Sequence, residues 1–225
     1  MTSDAARNAS SAVPGVGGRI VCVTGPDGAG KTTQIQRIAE RLERREKKKV
    51  APVTIWDLLL EPAAQGAVPF KSPGEVDRYL AILSPLARTL FLYHCLAEAL
   101  AAARKKEPDV LLVNAYWYKY YATEVAHGAD PATTLALAER CFPEPDLTFY
   151  LSIDPDRSSG RKAGYSGYET GYATPRSREA FVAFQQKAGP HLADLARTRN
   201  WIALDGQATP DGITDLIMTR IRETK

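Results

Sequence analysis

Cysteine is scarce: Cys22, Cys95 and Cys141 are the only three in 225 residues. They lie far apart with no C-x-x-C spacing, which argues against a disulfide framework or a cysteine zinc site and for a reducing, cytoplasmic setting. Histidine is equally sparse. His94, His127 and His191 have no metal-binding spacing and read as ordinary core or surface residues. No run approaches the roughly 18 apolar residues of a membrane span. The first 18 residues, rich in Ala, Ser, Gly and Asn, hold no apolar stretch that could act as a secretory signal. Charge is nearly balanced, 29 basic against 26 acidic residues, and that excess is too small to mark a nucleic-acid binder. Arg41, Arg44, Arg45 and Lys47 to Lys49 read as a solvated helix end. No internal repeat is visible. What remains is a disordered tail, 1–18, before one domain, 19–225, with no membrane or nucleic-acid partner.

Within that domain one stretch states a chemistry. Gly25-Pro26-Asp27-Gly28-Ala29-Gly30-Lys31-Thr32 fits G-x-x-x-x-G-K-[ST]. In that pattern glycines let backbone N–H groups wrap a phosphate, the lysine reaches the outer phosphates and the Ser/Thr hydroxyl takes Mg²⁺. The context agrees with the motif. Arg19 to Thr24 is a β-branched run of the kind that forms a buried parallel strand, and Thr33 opens a helix with Ile35, Ile38 and Leu42 on one face. The ATP-binding set is therefore Gly25, Asp27, Gly28, Ala29, Gly30, Lys31, Thr32 and Thr33, with ATP and Mg²⁺ as cofactors.

Further strands follow at Val50–Trp56, Asp109–Asn114, Leu147–Ile153 and Trp201–Leu204. Pro52 restricts the second to an edge, and the apolar third should lie beside the first. Residues Glu61 to Gly74 read as loop or broken helix. Ser84-Pro85 caps a long helix running to about Lys105, Thr174-Pro175 starts another, and a last one spans Pro210 to Arg222. Alternating strands and helices make a five-stranded parallel α/β sheet covered on both faces.

Three further stretches carry candidate site residues. Ala115 to Tyr121 holds five aromatics, which either wall a pocket for a flat ring or pack a helix onto the sheet. Asp57 ends the second strand after Trp56, where it would orient or deprotonate an acceptor hydroxyl or simply cap a turn. Gly160 to Tyr172, glycine-rich and beside Arg157, Arg161 and Lys162, reads as a mobile lid whose cations meet an anionic ligand. Arg161 is the first candidate to stabilise a transferring phosphoryl group.

From residue 19 on, the chain resembles the thymidylate kinase family of P-loop nucleoside monophosphate kinases. The residues that carry the likeness are Gly25 to Gln34, Pro145 to Leu151 followed by Asp154-Pro155-Asp156 and Arg161, and Leu204-Asp205-Gly206. The resemblance implies a P-loop three-layer fold, transfer of the γ-phosphate of ATP to a nucleotide acceptor, and a homodimer formed through the long helices. It also implies that Asp27 approaches the acceptor's sugar. The catalytic candidates are thus Lys31, Arg161, Asp27 and Asp57, and the acceptor-binding candidates Asp27, Trp56, Asp57, Asn114 and Tyr116. The pattern departs on the acceptor side. Trp56-Asp57 stands where the family has Arg-Glu-Pro, and Asn114-Ala115-Tyr116 where it has Asp-Arg-Tyr. Loss of phosphate-binding guanidinium groups leaves open a non-phosphorylated nucleoside as acceptor, or a nucleotide-binding protein with little turnover.

Overall fold

The computed structural model describes residues 18–60 and 68–224. The expected tail, through residue 17, and part of the expected 61–74 loop lie outside the described residues. Five strands, β1 (Arg19–Thr24), β2 (Val50–Val53), β3 (Val110–Asn114), β4 (Leu147–Ser152) and β5 (Ile202–Asp205), pair in the order β2-β3-β1-β4-β5, all parallel. β2 is the edge strand and β3 neighbours β1, so Pro52 stands where one side needs no partner. In this register Val23 lies against Asn114 and Thr24 against Tyr150. The ends of the three central strands therefore open onto one edge, where ligands of open α/β sheets bind.

Side-chain alternation divides the core in two. Ile20 and Cys22 of β1, with Leu111 and Val113 of β3, face α4 (Pro85–Arg104) and α5 (Tyr116–Ala126). Val21 and Val23, with Val110 and Leu112, face α1 (Lys31–Glu46) and α9 (Pro210–Glu223). The central strands β1 and β3 are buried on both faces, which is why their runs read as continuously apolar. Cutting any of these central leucines back to alanine should cost about 2–5 kcal/mol. The basic end of α1 is tied to α9 through Arg37 with Asp211, Arg41 with Asp215 and Arg222 with Glu46.

The other helices position the cleft walls. α2 (Asp57–Leu60) is a single turn after β2. α3 (Pro73–Ile82) begins inside the stretch expected to be irregular, because Ser72 caps it by accepting from Glu75 N and Pro73 occupies its first turn. α4 starts at Pro85 as expected. It is long and apolar enough to cross a membrane by length and composition, yet more than half of it is buried against the remainder of the fold, the mark of a core helix. α6 (Pro131–Cys141) and α7 (Pro155–Ser159) are capped by Asp130 and Asp154. α8 (Arg178–Thr198) begins later than Thr174-Pro175, because the Ser177 hydroxyl accepts from Ala180 N and fixes the start there.

Candidate active site

The loop between β1 and α1 is shaped by three glycines with positive φ, Gly25, Gly28 and Gly30. A Cβ on Gly25 would fall 2.6 Å from Leu151 O, and one on Gly28 would fall 2.5 Å from Ser158 O. Larger residues would push the loop off β4 and α7. Gly30, by contrast, faces open space and supplies no side-chain cap. The first-turn amides of α1 are therefore left for an anion. A cleft of about 810 Å³ lies over this loop, lined by Asp27 to Gln34 and, across from them, by Thr54, Trp56, Asn114, Arg161 and Lys162.

The loop's charged groups are buried and mutually tuned. Lys31 Nζ bends back to donate to Pro26 O at 2.7 Å. Burial brings its pKa down to about 8, an effect that Lys119 and Lys162 reinforce and Asp27 opposes. Asp27 pairs with Lys119 of α5, Nζ to Oδ1 at 2.6 Å. Burial works to raise the Asp27 carboxyl, but Lys119 and then Lys31 outweigh it and hold Asp27 below the ordinary carboxylate range. Burial likewise disfavours the Lys119 ammonium, yet Asp27 and Glu169 keep it charged. Lys119 was missed by sequence reasoning. A lone cation inside the aromatic run Ala115 to Tyr121 was the available signal, since a buried ammonium needs a carboxylate partner.

A second cavity of about 320 Å³ adjoins the first and shares Trp56, Tyr120 and Glu169 with it. Its walls are mostly apolar and aromatic: Ile55, Trp56, Leu80, Leu92, Tyr120 and Tyr168. Of the run Ala115 to Tyr121, only Ala115 and Tyr120 reach these cavities. Tyr116, Trp117 and Tyr118 are fully buried in the core, with Tyr116 OH donating to Pro143 O at 2.7 Å. Tyr116 thus corrects the expectation that it contacts an acceptor. Ring packing against Phe142 and Trp117 holds it under the sheet.

Asp57 takes one of its two expected roles. Its Oδ2 accepts from Thr54 N at 2.7 Å, closing the turn that starts α2, and the cleft is lined by Thr54 and Trp56 on either side of that turn. The turn-capping alternative is the one the geometry fits. Asn114 Nδ2 donates to Thr32 Oγ1 at 3.2 Å. An aspartate there would instead accept the Thr32 hydroxyl hydrogen. Arg161 lines the cleft with Nη1 donating to Gly206 O at 3.0 Å, and Lys162 pairs with Glu169 at 2.9 Å. Arg157 is exposed and outside the cleft lining.

The stretch read as a lid lies docked over both cavities. A short 3-10 turn, Tyr168–Thr170, places Tyr168 OH 2.8 Å from Glu124 of α5. Glu124 in turn receives Arg88 Nε at 2.8 Å. Burial raises the Glu124 carboxyl to about 7 despite Arg88, and lowers the neighbouring His127 to about 4 with help from Arg88. Among the described residues no cluster of three His, Cys, Asp or Glu could hold a metal. The donors available to a divalent ion at this site are the Thr32 hydroxyl and the oxygens of a bound phosphate, a hard-oxygen set that suits Mg²⁺.

No family model matches the chain. It is 26% identical over 200 residues to the thymidylate kinase of Dinoroseobacter shibae, covering 84% of this chain and 89% of that protein. It is 28% identical over 189 residues to the thymidylate kinase of Xanthomonas campestris, covering 80% and 77%. To the probable thymidylate kinase of Methanosphaera stadtmanae it is 23% identical over 211 residues, covering 89% and 96%. Over most of its length the chain is similar to thymidylate kinases. The likeness spans most of each relative, so strand order, loop and lid segment together form a thymidylate kinase-type scaffold.

Proposed function

We propose that this protein transfers the γ-phosphoryl group of ATP to a nucleoside monophosphate or similar nucleotide acceptor. The observation that carries the reading is the joined pair of cavities: a phosphate loop with open amides on one side, an aromatic pocket on the other, meeting at Trp56, Tyr120 and Glu169. The amides of Gly28 to Thr33 and Lys31 would hold the donor phosphates. Thr32 would hold Mg²⁺, whose chemistry is to neutralise phosphate charge. Trp56 and Tyr120 would flank the acceptor's ring, with Asp27 toward its sugar. Arg161, which lines the cleft, would meet charge developing on the equatorial oxygens as the acceptor oxygen bonds to phosphorus and the bridge to ADP breaks. Free thiols at Cys22, Cys95 and Cys141 agree with a cytoplasmic location. Leu86 and Leu90, half exposed along α4, would be covered in a homodimer.

A second reading, a non-phosphorylated nucleoside as acceptor, draws on a specific observation. Ala115 offers no cation, and Arg176, which lines the aromatic pocket, already pairs with Asp77 at 3.2 Å. The test is a product panel: ATP, Mg²⁺ and a set of nucleosides and nucleoside monophosphates, with Lys31→Ala as control. Product on monophosphates upholds the first reading, and product on nucleosides alone upholds the second. ATP binding without transfer to any of them would reduce the protein to a nucleotide binder. Asn114→Asp with Ala115→Arg should raise transfer to thymidylate; no change would count against loss of that pair as the cause of divergence.

A further inference from the structure

We propose that Asp77 is a positioning residue for phosphoryl transfer: it clasps the lid segment across the acceptor pocket and so sets where Arg161 and Lys162 stand. The proposal rests on the kinase reading above. Asp77 is buried on α3, and both of its oxygens are engaged by the lid. Oδ2 accepts from Gly167 N at 3.1 Å and Oδ1 from Tyr168 N at 2.9 Å, while Arg176 Nη1 lies 3.2 Å from Oδ2. Two consecutive amides and a guanidinium from one segment converge on a single carboxylate. Such charge-assisted bonds hold geometry more tightly than neutral ones.

The clasp has a direct line to the donor cleft. Glu169 lies two residues beyond Gly167, lines both cavities and holds Lys162 at 2.9 Å. Arg161 adjoins Lys162 and reaches Gly206 at the opposite rim. Ser166, Tyr168, Glu169 and Arg176 form the lid's wall of the acceptor pocket, and Asp77 with its helix forms the facing wall. One carboxylate therefore joins the pocket's two walls. An acceptor that fills the space between them would bear on the same contact that aligns the transfer cations. A shift of about 1 Å in such a constellation is enough to cost on the order of a hundred-fold in rate.

Two variants approach the clasp from opposite sides. Asp77→Asn removes the charge and one of the paired acceptors. Gly167→Ala keeps an ordinary backbone conformation, φ −60 and ψ −41, but sets its Cβ 2.9 Å from the Tyr172 ring and 3.1 Å from Asp77 Oδ2. Gly167→Ala retains the whole core and decides the matter should Asp77→Asn fold poorly. Both should lower kcat by about a hundred-fold and leave the KM for ATP within about three-fold, since the phosphate loop is untouched. Trypsin should cut faster after Arg161, Lys162 and Arg176, and acceptor should no longer protect those bonds. Wild-type kcat and wild-type cutting in the variants would overturn the proposal, as would a raised KM for ATP with kcat unchanged. If the wild-type protein transfers phosphate to no acceptor, the kinase reading fails by itself. Cutting rates then judge the clasp: faster cleavage in both variants upholds it and unchanged cleavage refutes it.

Discussion

The two halves of the cleft are built in different ways. The proposed donor half is one contiguous stretch, Gly25 to Thr33, which offers largely backbone amides, positioned by glycine conformations and a helix start. The proposed acceptor half is drawn from the turn after β2, α3, α4, α5 and the lid segment, and its lining groups are largely side chains. Backbone groups are indifferent to most substitutions, whereas a side-chain pocket changes identity with each one.

The sharpest way to break this comparison is to remove the lysine of the donor half's loop. Lys31→Ala should lower phosphoryl transfer by about a thousand-fold or more, measured as initial rate at saturating ATP. An acceptor-side change such as Trp56→Ala should chiefly raise the acceptor's KM. Equal effects of the two on ATP binding would erase the distinction between the halves.

The contact between the halves can be probed through stability. Lys119→Met leaves Asp27 buried without its partner and should lower the unfolding free energy by about 3 kcal/mol, read by chemical denaturation. Lys119→Met combined with Asp27→Asn should recover much of that loss. Failure to recover would mean that Lys119 acts through packing and not through charge.

A smaller effect concerns pH on the donor side. Lys31 must be protonated to attract phosphate, and its pKa in the free protein is lowered from 10.5 to about 8. Affinity for ATP should therefore be highest below pH 8 and decline as pH rises past it, with proton uptake on binding at pH 8 to 9 by calorimetry. A flat affinity from pH 7 to 9.5 would place Lys31's charge outside binding.

How legible each half was in the sequence follows from the same contrast. The parallel sheet could be read because its central strands are apolar on both faces, and the phosphate loop because its spacing is local. Lys119, Asp77 and Glu169 could not be assigned, since their partners lie 92, 90 and 7 residues away in Asp27, Gly167 and Lys162. Tyr116 was misplaced, and the two readings of Asp57 stayed open, for a related reason: position at a strand end selects the right neighbourhood, but a backbone amide at Thr54 and the rings of Trp117 and Phe142 decide where the side chain turns.

The smallest predicted effect lies under the lid, where a buried carboxyl and a half-buried imidazole oppose each other. His127, with its folded pKa lowered from 6.5 to about 4, contributes stability that is lost as pH falls through that window. Glu124, raised from 4.5 to about 7, does the reverse: stability falls as pH rises from 4.5 to 7. The wild-type curve should be shallow between about pH 4.5 and 6.5, and His127→Asn should tilt it toward greater stability at the acid end. An unchanged slope in thermal melts would contradict the assignment.

The central claim is that the aromatic pocket receives an acceptor for the phosphoryl group held at the loop. Mass spectrometry of reactions with ATP, Mg²⁺ and the panel of nucleosides and nucleoside monophosphates tests it most directly. A phosphorylated product from at least one of them, absent with Lys31→Ala, is the predicted result. Tight ATP binding with no product from any acceptor would contradict it.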